Sequence, residues 1–358
     1  SITMAFIRRT SPHAHTASTT GDIMRWVIYA TLPGLVVLTY FFGWGSLINV
    51  ALSCVTALGC EALILKLRKR PVLFYLKDYS ALVTAVLLGL SLPPYAPWWL
   101  VVIGIASAVI LAKQLYGGLG YNPFNPAMVG YVILLISFPV EMTRWATPAT
   151  LLNDGQTLPS LMTALESVFL GSSAAIDGYT GATPLDLFKT QQGLLVEQIN
   201  AQQPLFSLAS FAGAGWEWVN VAFLGGGIWL LYKRAFTWHA PISMLLALSV
   251  MTFLFYGGGN SDSGGSSMLH LFSGGTMFGA FFIITDPVSS AVSNRGRIIF
   301  GAAIGVLIYI IRVWGNYPDA IAFAVLLMNF AAPFIDYYTL PRTYGHTKTS
   351  RATRGRDL

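Results

Sequence analysis

The chain reads as an all-α integral membrane protein of about ten transmembrane helices, built as a five-plus-five inverted repeat with short, broken helices. Three observations predict this. Charged residues are 10% of the 358 and hydrophobic ones 54%, with mean hydropathy +0.61, whereas a soluble domain is about 25% charged. Apolar runs near 20 residues recur, the length that crosses a hydrocarbon core of ~30 Å. A long polar loop divides these runs into two groups of five, and an odd number sends the second group into the bilayer from the opposite side.

Residues 1–23, beginning "SITMAFIRRTSPHAHTASTTGD", are polar and lead straight into the first span with no removable signal peptide visible. The first half, 24–141, holds spans at 24–43, 46–65, 80–95, 98–115 and 125–141. Cys54 and Cys60 share the second span without C-x-x-C spacing, which argues against cluster ligands and against a disulfide. Loop 142–208 is too long for a simple connector. Within it "LPSLMTALESVFLG" has the pattern of a short amphipathic helix. The second half, 209–338, holds spans at 209–231, 240–256, 270–287, 297–313 and 319–337. Its "YGGGNSDSGGSS" stretch reads as a flexible loop, and a basic tail, 339–358, closes the chain. The five histidines are scattered, with no facing pair to ligate haem and no metal-binding spacing.

Charge sets the expected orientation. With a cytoplasmic N-terminus, 18 of the 21 Lys and Arg fall on the cytoplasmic side, and only Arg144, Lys189 and Arg312 fall outside. This is the positive-inside pattern. It makes the net charge of +6 a topogenic flank rather than a nucleic-acid surface.

The halves carry matching traces of a repeat. Basic breaks, "KLRKRP" and "YKRAFTWHAP", precede short apolar segments stopped by proline, "ALVTAVLLGLSLPP" and "GAFFIITDP". Full spans then run into aromatic-glycine breaks, "LYGGLGYNP" and "VWGNYPD". Short, proline-stopped segments at corresponding places point to a central binding site formed by broken helices.

In loop 142–208 the stretch "DGYTGATPL", 177–185, strips side-chain bulk from around a hydroxyl. Gly181 and Ala182 bare the approach to Thr183, Gly178 frees the backbone to turn and Pro184 stiffens the exit. Such a loop suits covalent modification, and equally a tight surface turn. Composition alone leaves both open.

The pattern of Asp177, Gly178, Thr180, Gly181, Ala182 and Thr183 resembles a flavinylation motif in which a transferase esterifies the last threonine to the phosphate of FMN. Together with "LKDYSALVTAVLLGLSLPP", "GGLGYNPFNPAMVGY" and "GGTMFGAFFIITDPVSS", in that order, it makes the chain similar to the D subunits of Rnf (Rsx) complexes. These are related to the B subunits of sodium-translocating NADH:quinone reductases. The resemblance implies covalent FMN on Thr183, a fold like that of urea transporters and a bacterial inner-membrane location. Both termini would be cytoplasmic and loop 142–208 periplasmic. It implies electron transfer in a ferredoxin- and NAD-linked oxidoreductase, coupled to Na+ or H+ translocation. Partners would be the other subunits, a flavin transferase and membrane lipids, with no nucleic acid. The chain has no dinucleotide fingerprint, so NADH would bind another subunit.

Three further constellations gain a reading from the resemblance. Asn122 and Asn125 lie where the fourth span breaks and the fifth begins. Their amides suit a flavin ring edge, and Asn-Pro equally suits a helix cap. The resemblance implies a second, noncovalent flavin there, riboflavin-like, with Asp286 at the inner end of the broken "GAFFIITDP" segment. Phe278 and Phe282 stand one turn apart on that segment and are either packing residues or a hydrophobic constriction. Glu61, near the basic loop, is either a carboxylate snorkelling toward Lys66 and Arg68 or a cation-uptake acid. The competing function is a transporter or channel for a small neutral solute, which the fold alone would support.

Overall fold

Two helices of 23 residues open the chain, α1 (Thr20–Phe42) and α2 (Gly45–Leu67). At 1.5 Å per residue each is about 35 Å long, enough to cross a bilayer. The computed structural model describes residues 20–117, 122–171, 177–191, 193–317 and 320–340. Most of the N-terminal segment, residues 118–121 and the basic tail beyond 340 lie outside the described residues.

A basic loop and the short α3 (Val72–Leu76) lead to α4 (Ser80–Ser91), only 12 residues long. It stops where Pro93 and Pro94 remove two backbone donors. α5 (Trp98–Tyr116) is a full span whose last part, Ser107–Lys113, widens into a π-helical turn. After the Asn-Pro break come α6 (Pro126–Ser137) and α7 (Pro139–Thr143), so the expected fifth span is divided at Phe138.

The segment between the halves is a structured cap. β1 (Trp145–Ala146) pairs antiparallel with β2 (Thr180–Gly181). Between them α8 (Leu161–Leu170) is capped by Ser160, and it is the amphipathic helix expected there. α9 (Pro184–Thr190), α10 (Val196–Gln202) and α11 (Pro204–Ser207) follow. The stretch 189–204, to which the sequence assigned no role, helps build a small separate core of Leu185, Ile199, Phe206 and Leu269.

α12 (Trp216–Tyr232) begins later than the expected 209 because the Glu217 carboxylate holds 210–212 as a loop. It accepts the backbone N–H groups of Ser210, Phe211 and Ala212 at 2.9, 3.0 and 2.9 Å. α13 (His239–Phe255) follows, then the five-residue α14 (Ser267–Leu271). The expected span at 270–287 is broken after α14. Only α15 (Thr276–Phe278) and the π-helical turn that continues it, Gly279–Ile283, are helical. The long α16 (Asn294–Trp314) and α17 (Ile321–Thr339) complete the fold.

Among the described residues α1, α2, α5, α16 and α17 are long and apolar enough to cross a membrane. The chain is a mostly helical, multi-pass membrane protein, and shorter apolar helices pack with its long ones. Their closest crossings depend on glycine, as helix contacts in lipid commonly do. A Cβ on Gly226 of α12 would lie 2.2 Å from the Ala30 carbonyl of α1. On α16, Cβ atoms at Gly301 and Gly305 would lie 2.3 and 2.4 Å from the carbonyls of Ala240 and Met244 on α13.

Candidate functional site

The loop carrying Thr183 is held by its neighbours on both sides. The β1–β2 pairing sets Trp145 opposite Gly181, and Thr147 donates its N–H to the Tyr179 carbonyl at 2.7 Å. A Cβ on Gly181 would come 2.6 Å from the Thr147 hydroxyl oxygen, so this approach requires glycine. Gly178, Gly181 and Ala182 are exposed, as the bare loop requires, while Thr180 and Thr183 are half-buried. The Asp177 side chain lies outside the described residues. Thr183 caps α9, its Oγ1 accepting the Asp186 N–H at 3.3 Å, with Pro184 in the first helical position. Nearby Lys189 donates to the Gly315 carbonyl, and burial lowers its pKa from the ordinary lysine value.

Thr183 lines a cavity of about 410 Å³, within the range of small-molecule sites. Its walls are mainly apolar and aromatic, with Trp145, Trp216, Tyr131 and Phe223 among them, and they reach Ile283 at the end of the broken segment. Trp216 packs edge-on against Trp145 at 5.0 Å and Phe42 at 5.1 Å. Its indole N–H is buried without a protein acceptor. The cavity therefore offers a planar ligand flat aromatic walls.

Beyond Ile283 a run of side-chain amides begins. Asn125 caps α6, accepting the Met128 N–H at 3.2 Å, and donates to the Ile283 carbonyl at 3.2 Å. With its amide turned so that oxygen faces a donor and nitrogen an acceptor, Asn329 accepts from the Asn125 N–H at 2.9 Å and donates to the Ser289 carbonyl at 3.1 Å. The Ser289 hydroxyl in turn donates to Asp286 at 2.6 Å. Asn125 and Asp286, 161 residues apart in sequence, thus belong to one network. Asn122 donates to the Phe124 carbonyl at 3.0 Å and leaves its own Oδ1 buried without a donor. Capping accounts for Asn125 and turn formation for Asp286. Neither accounts for that oxygen of Asn122.

Phe278 and Phe282 are buried and stacked at 5.6 Å between ring centroids. Phe223 of α12 closes on both, at 4.9 and 5.8 Å, so the pair is one side of a three-ring cluster. Phe223 and Phe278 also face the cavity.

Glu61 lies far from this cavity, near the basic loop, and its partner was missed from the sequence. Rather than turning toward Lys66 and Arg68, its carboxylate is 2% exposed and accepts from Lys113 Nζ at 2.5 Å and Gln114 Nε2 at 2.7 Å. Lys113 also reaches Ser80 Oγ, on the first residue of α4, at 2.5 Å. A second buried cation occupies the other half. Arg312 of α16 donates to the His270 carbonyl at 2.9 Å and to Thr276 Oγ1, on the first residue of α15, at 2.8 Å. Lys113 and Arg312 read as flanks in a charge count. Their positions inside apolar runs, "ILAKQLY" and "IIRVW", were the available signal.

A family model described as the NQR2, RnfD, RnfE family matches residues 7–345. The chain belongs to this family. Relatives at high identity agree with it over their full length. A protein of Cellvibrio japonicus, named as the D subunit of an ion-translocating oxidoreductase complex, is 61% identical over 351 residues, covering 98% of both chains. For the D subunit so named in Pseudomonas aeruginosa the identity is 55% over 354 residues, 99% of this chain and 100% of the relative. For that of Marinobacter nauticus it is 54% over 354 residues, 99% of both. The family match spans the cap, the cavity and both buried cation clusters, so all belong to one unit rather than to an appended domain.

Proposed function

We propose that this chain is the D-type membrane subunit of an ion-translocating oxidoreductase complex, and that Thr183 carries FMN through a phosphoester to its side-chain oxygen. One observation carries the reading. The half-buried Thr183 stands on the wall of a 410 Å³ cavity whose aromatic surfaces suit a flat ring. The names of the relatives support the assignment to a complex, whose other subunits would be partners, as would the transferase that loads the flavin.

The flavin supplies the electron-transfer chemistry when bound, and the protein supplies position and surroundings. Gly181, held against Thr147, and the Thr183 cap fix the attachment point. Asp177, Gly178, Thr180 and Ala182 keep it open to the transferase. Trp145 and Trp216 exclude water from the ring's place. A second flavin, riboflavin-like, would lie by Asn122, Asn125 and Asp286, where the buried, unpartnered Asn122 Oδ1 would accept from its ring N–H. Phe278 and Phe282 with Phe223 form the apolar barrier between cavity and second site. Glu61 serves the path of the coupling ion, Na+ or H+.

The same reading extends to architecture and orientation. Lys113 reaches the start of short helix α4, and Arg312 the start of short helix α15, each from the end of the long helix that follows. That correspondence supports a five-plus-five inverted repeat. The cap would face the periplasm, with the basic loops and both termini in the cytoplasm of a bacterial inner membrane.

The test is direct. Chain made with its transferase, denatured and run on a gel, should fluoresce under ultraviolet light, and Thr183→Ala should abolish the band. A dark wild-type band would favour a small-solute transporter.

A further inference from the structure

An ionised carboxylate in the interior of a membrane protein is costly unless a positive charge or a full set of donors compensates it. Glu61 has one such charge. Its Oε1 takes both the Lys113 ammonium, at 2.5 Å, and the Gln114 amide, at 2.7 Å. Its Oε2 takes nothing, and neither does Gln114 Oε1, although both are buried. The arrangement therefore has two idle acceptor oxygens beside one carboxylate whose charge is already matched. What two bare acceptors lack is a donor or a cation. A tethered ammonium has the advantage over an ion from solution, since it gives up no translational freedom on arriving. The remaining carboxylate of the cluster, Asp78, is half-buried and engaged by the Ser80 N–H and hydroxyl at 2.9 and 2.8 Å.

We propose that Lys113 is a tethered cation at Glu61. While the ammonium is in place, Glu61 holds no mobile monovalent cation. Withdrawing it opens a site made by the Glu61 carboxylate and Gln114 Oε1. The proposal deepens the ion-path role given to Glu61 and rests on that reading. It makes Lys113 the residue that decides when the acid is available.

The experiment compares thermal unfolding of the purified complex in NaCl and in choline chloride at equal ionic strength. Wild type and Glu61→Gln should respond to sodium alike. Lys113→Met should gain a sodium-dependent rise in midpoint of at least ~2 °C, or accumulate only when sodium is present. The rise should vanish in the Glu61→Gln/Lys113→Met double variant. A wild-type sodium response that Glu61→Gln abolishes would overturn the proposal, because the cation would then bind with Lys113 in place. Lys113→Gln, which keeps donors but not charge, is run beside Lys113→Met. If neither is stabilised by sodium, including the case where neither accumulates in either salt, the proposal fails. The flavin band and sodium-dependent turnover of the same preparations report on the proposed function separately.

Discussion

The side-chain amide of Asn49 donates to the carbonyl of Pro93 at 2.8 Å, joining the N-terminal end of α2 to the stop of the short helix α4. Asn220 does the same for the other half, donating to the Gly274 carbonyl at 3.1 Å and accepting the Met277 N–H at 3.3 Å. Buried backbone at these breaks has no water to turn to, so the asparagines complete the helix ends. Asn49→Leu should destabilise the detergent-solubilised protein by about 1–3 kcal/mol, read as a lower midpoint of chemical unfolding. Flavin attachment at Thr183, which Asn49 does not hold, should persist.

Glycine packing predicts a sharper contrast between two adjacent residues. Gly226→Ala places a methyl 2.2 Å from the Ala30 carbonyl, and backbone cannot swing aside as a side chain can. The α1–α12 crossing should separate at a cost of roughly 1–3 kcal/mol or more. Gly225→Ala meets nothing within 4 Å and should be neutral or stabilising. Equal unfolding midpoints for the two variants would contradict this crossing.

The spans and the Thr183 loop were legible because both are local. Hydrophobic length reports a helix wherever it packs, and two glycines beside a threonine report a bare hydroxyl whatever surrounds it. The start of α12 was not legible, since it depends on Glu217 folding back onto 210–212, and an apolar stretch looks continuous until that carboxylate claims its donors. Nor was the partner of Glu61. Lys66 and Arg68 are nearer in sequence, but Lys113, 52 residues on, is the one that faces it. The Asn125–Asn329–Ser289–Asp286 network escaped for the same reason, because Asn329 sits in an unbroken apolar helix and gives no local sign.

Glu217 itself gives a clean measurement. Glu217→Ala takes the acceptor from three backbone N–H groups, of which the Ala212 N–H is buried and costs about 1–3 kcal/mol if left unsatisfied. The loop 209–215 should become the first site of limited proteolysis, while Glu217→Gln, which keeps one acceptor oxygen, should be cut more slowly.

At the attachment loop, Thr183→Ser keeps the hydroxyl and the helix cap and should retain the fluorescent band. Thr183→Val matches the shape without the nucleophilic oxygen and should lose it entirely. Gly181→Val, driven into Thr147, should lower attachment without removing the acceptor residue. Band intensity normalised to protein decides all three.

The buried ion pair should respond asymmetrically. Glu61→Gln alone leaves the Lys113 ammonium without its carboxylate and should cost about 3–5 kcal/mol. Adding Lys113→Met removes the stranded charge and should recover most of that loss in a chemical-denaturation series. Additive losses would mean that the two side chains do not act on one another.

The cap also has a mechanical consequence. β2 is hydrogen-bonded to the strand that leaves the first half, while Leu185 of α9 shares a core with Leu269, which belongs to the second. Thr183 sits between these two fastenings. The halves are clasped at this end of the molecule and meet again where α12 crosses α1 at Gly226 and Ala30, so the two points together resist rocking between them. A group carried on Thr183 would hang from backbone that both halves hold.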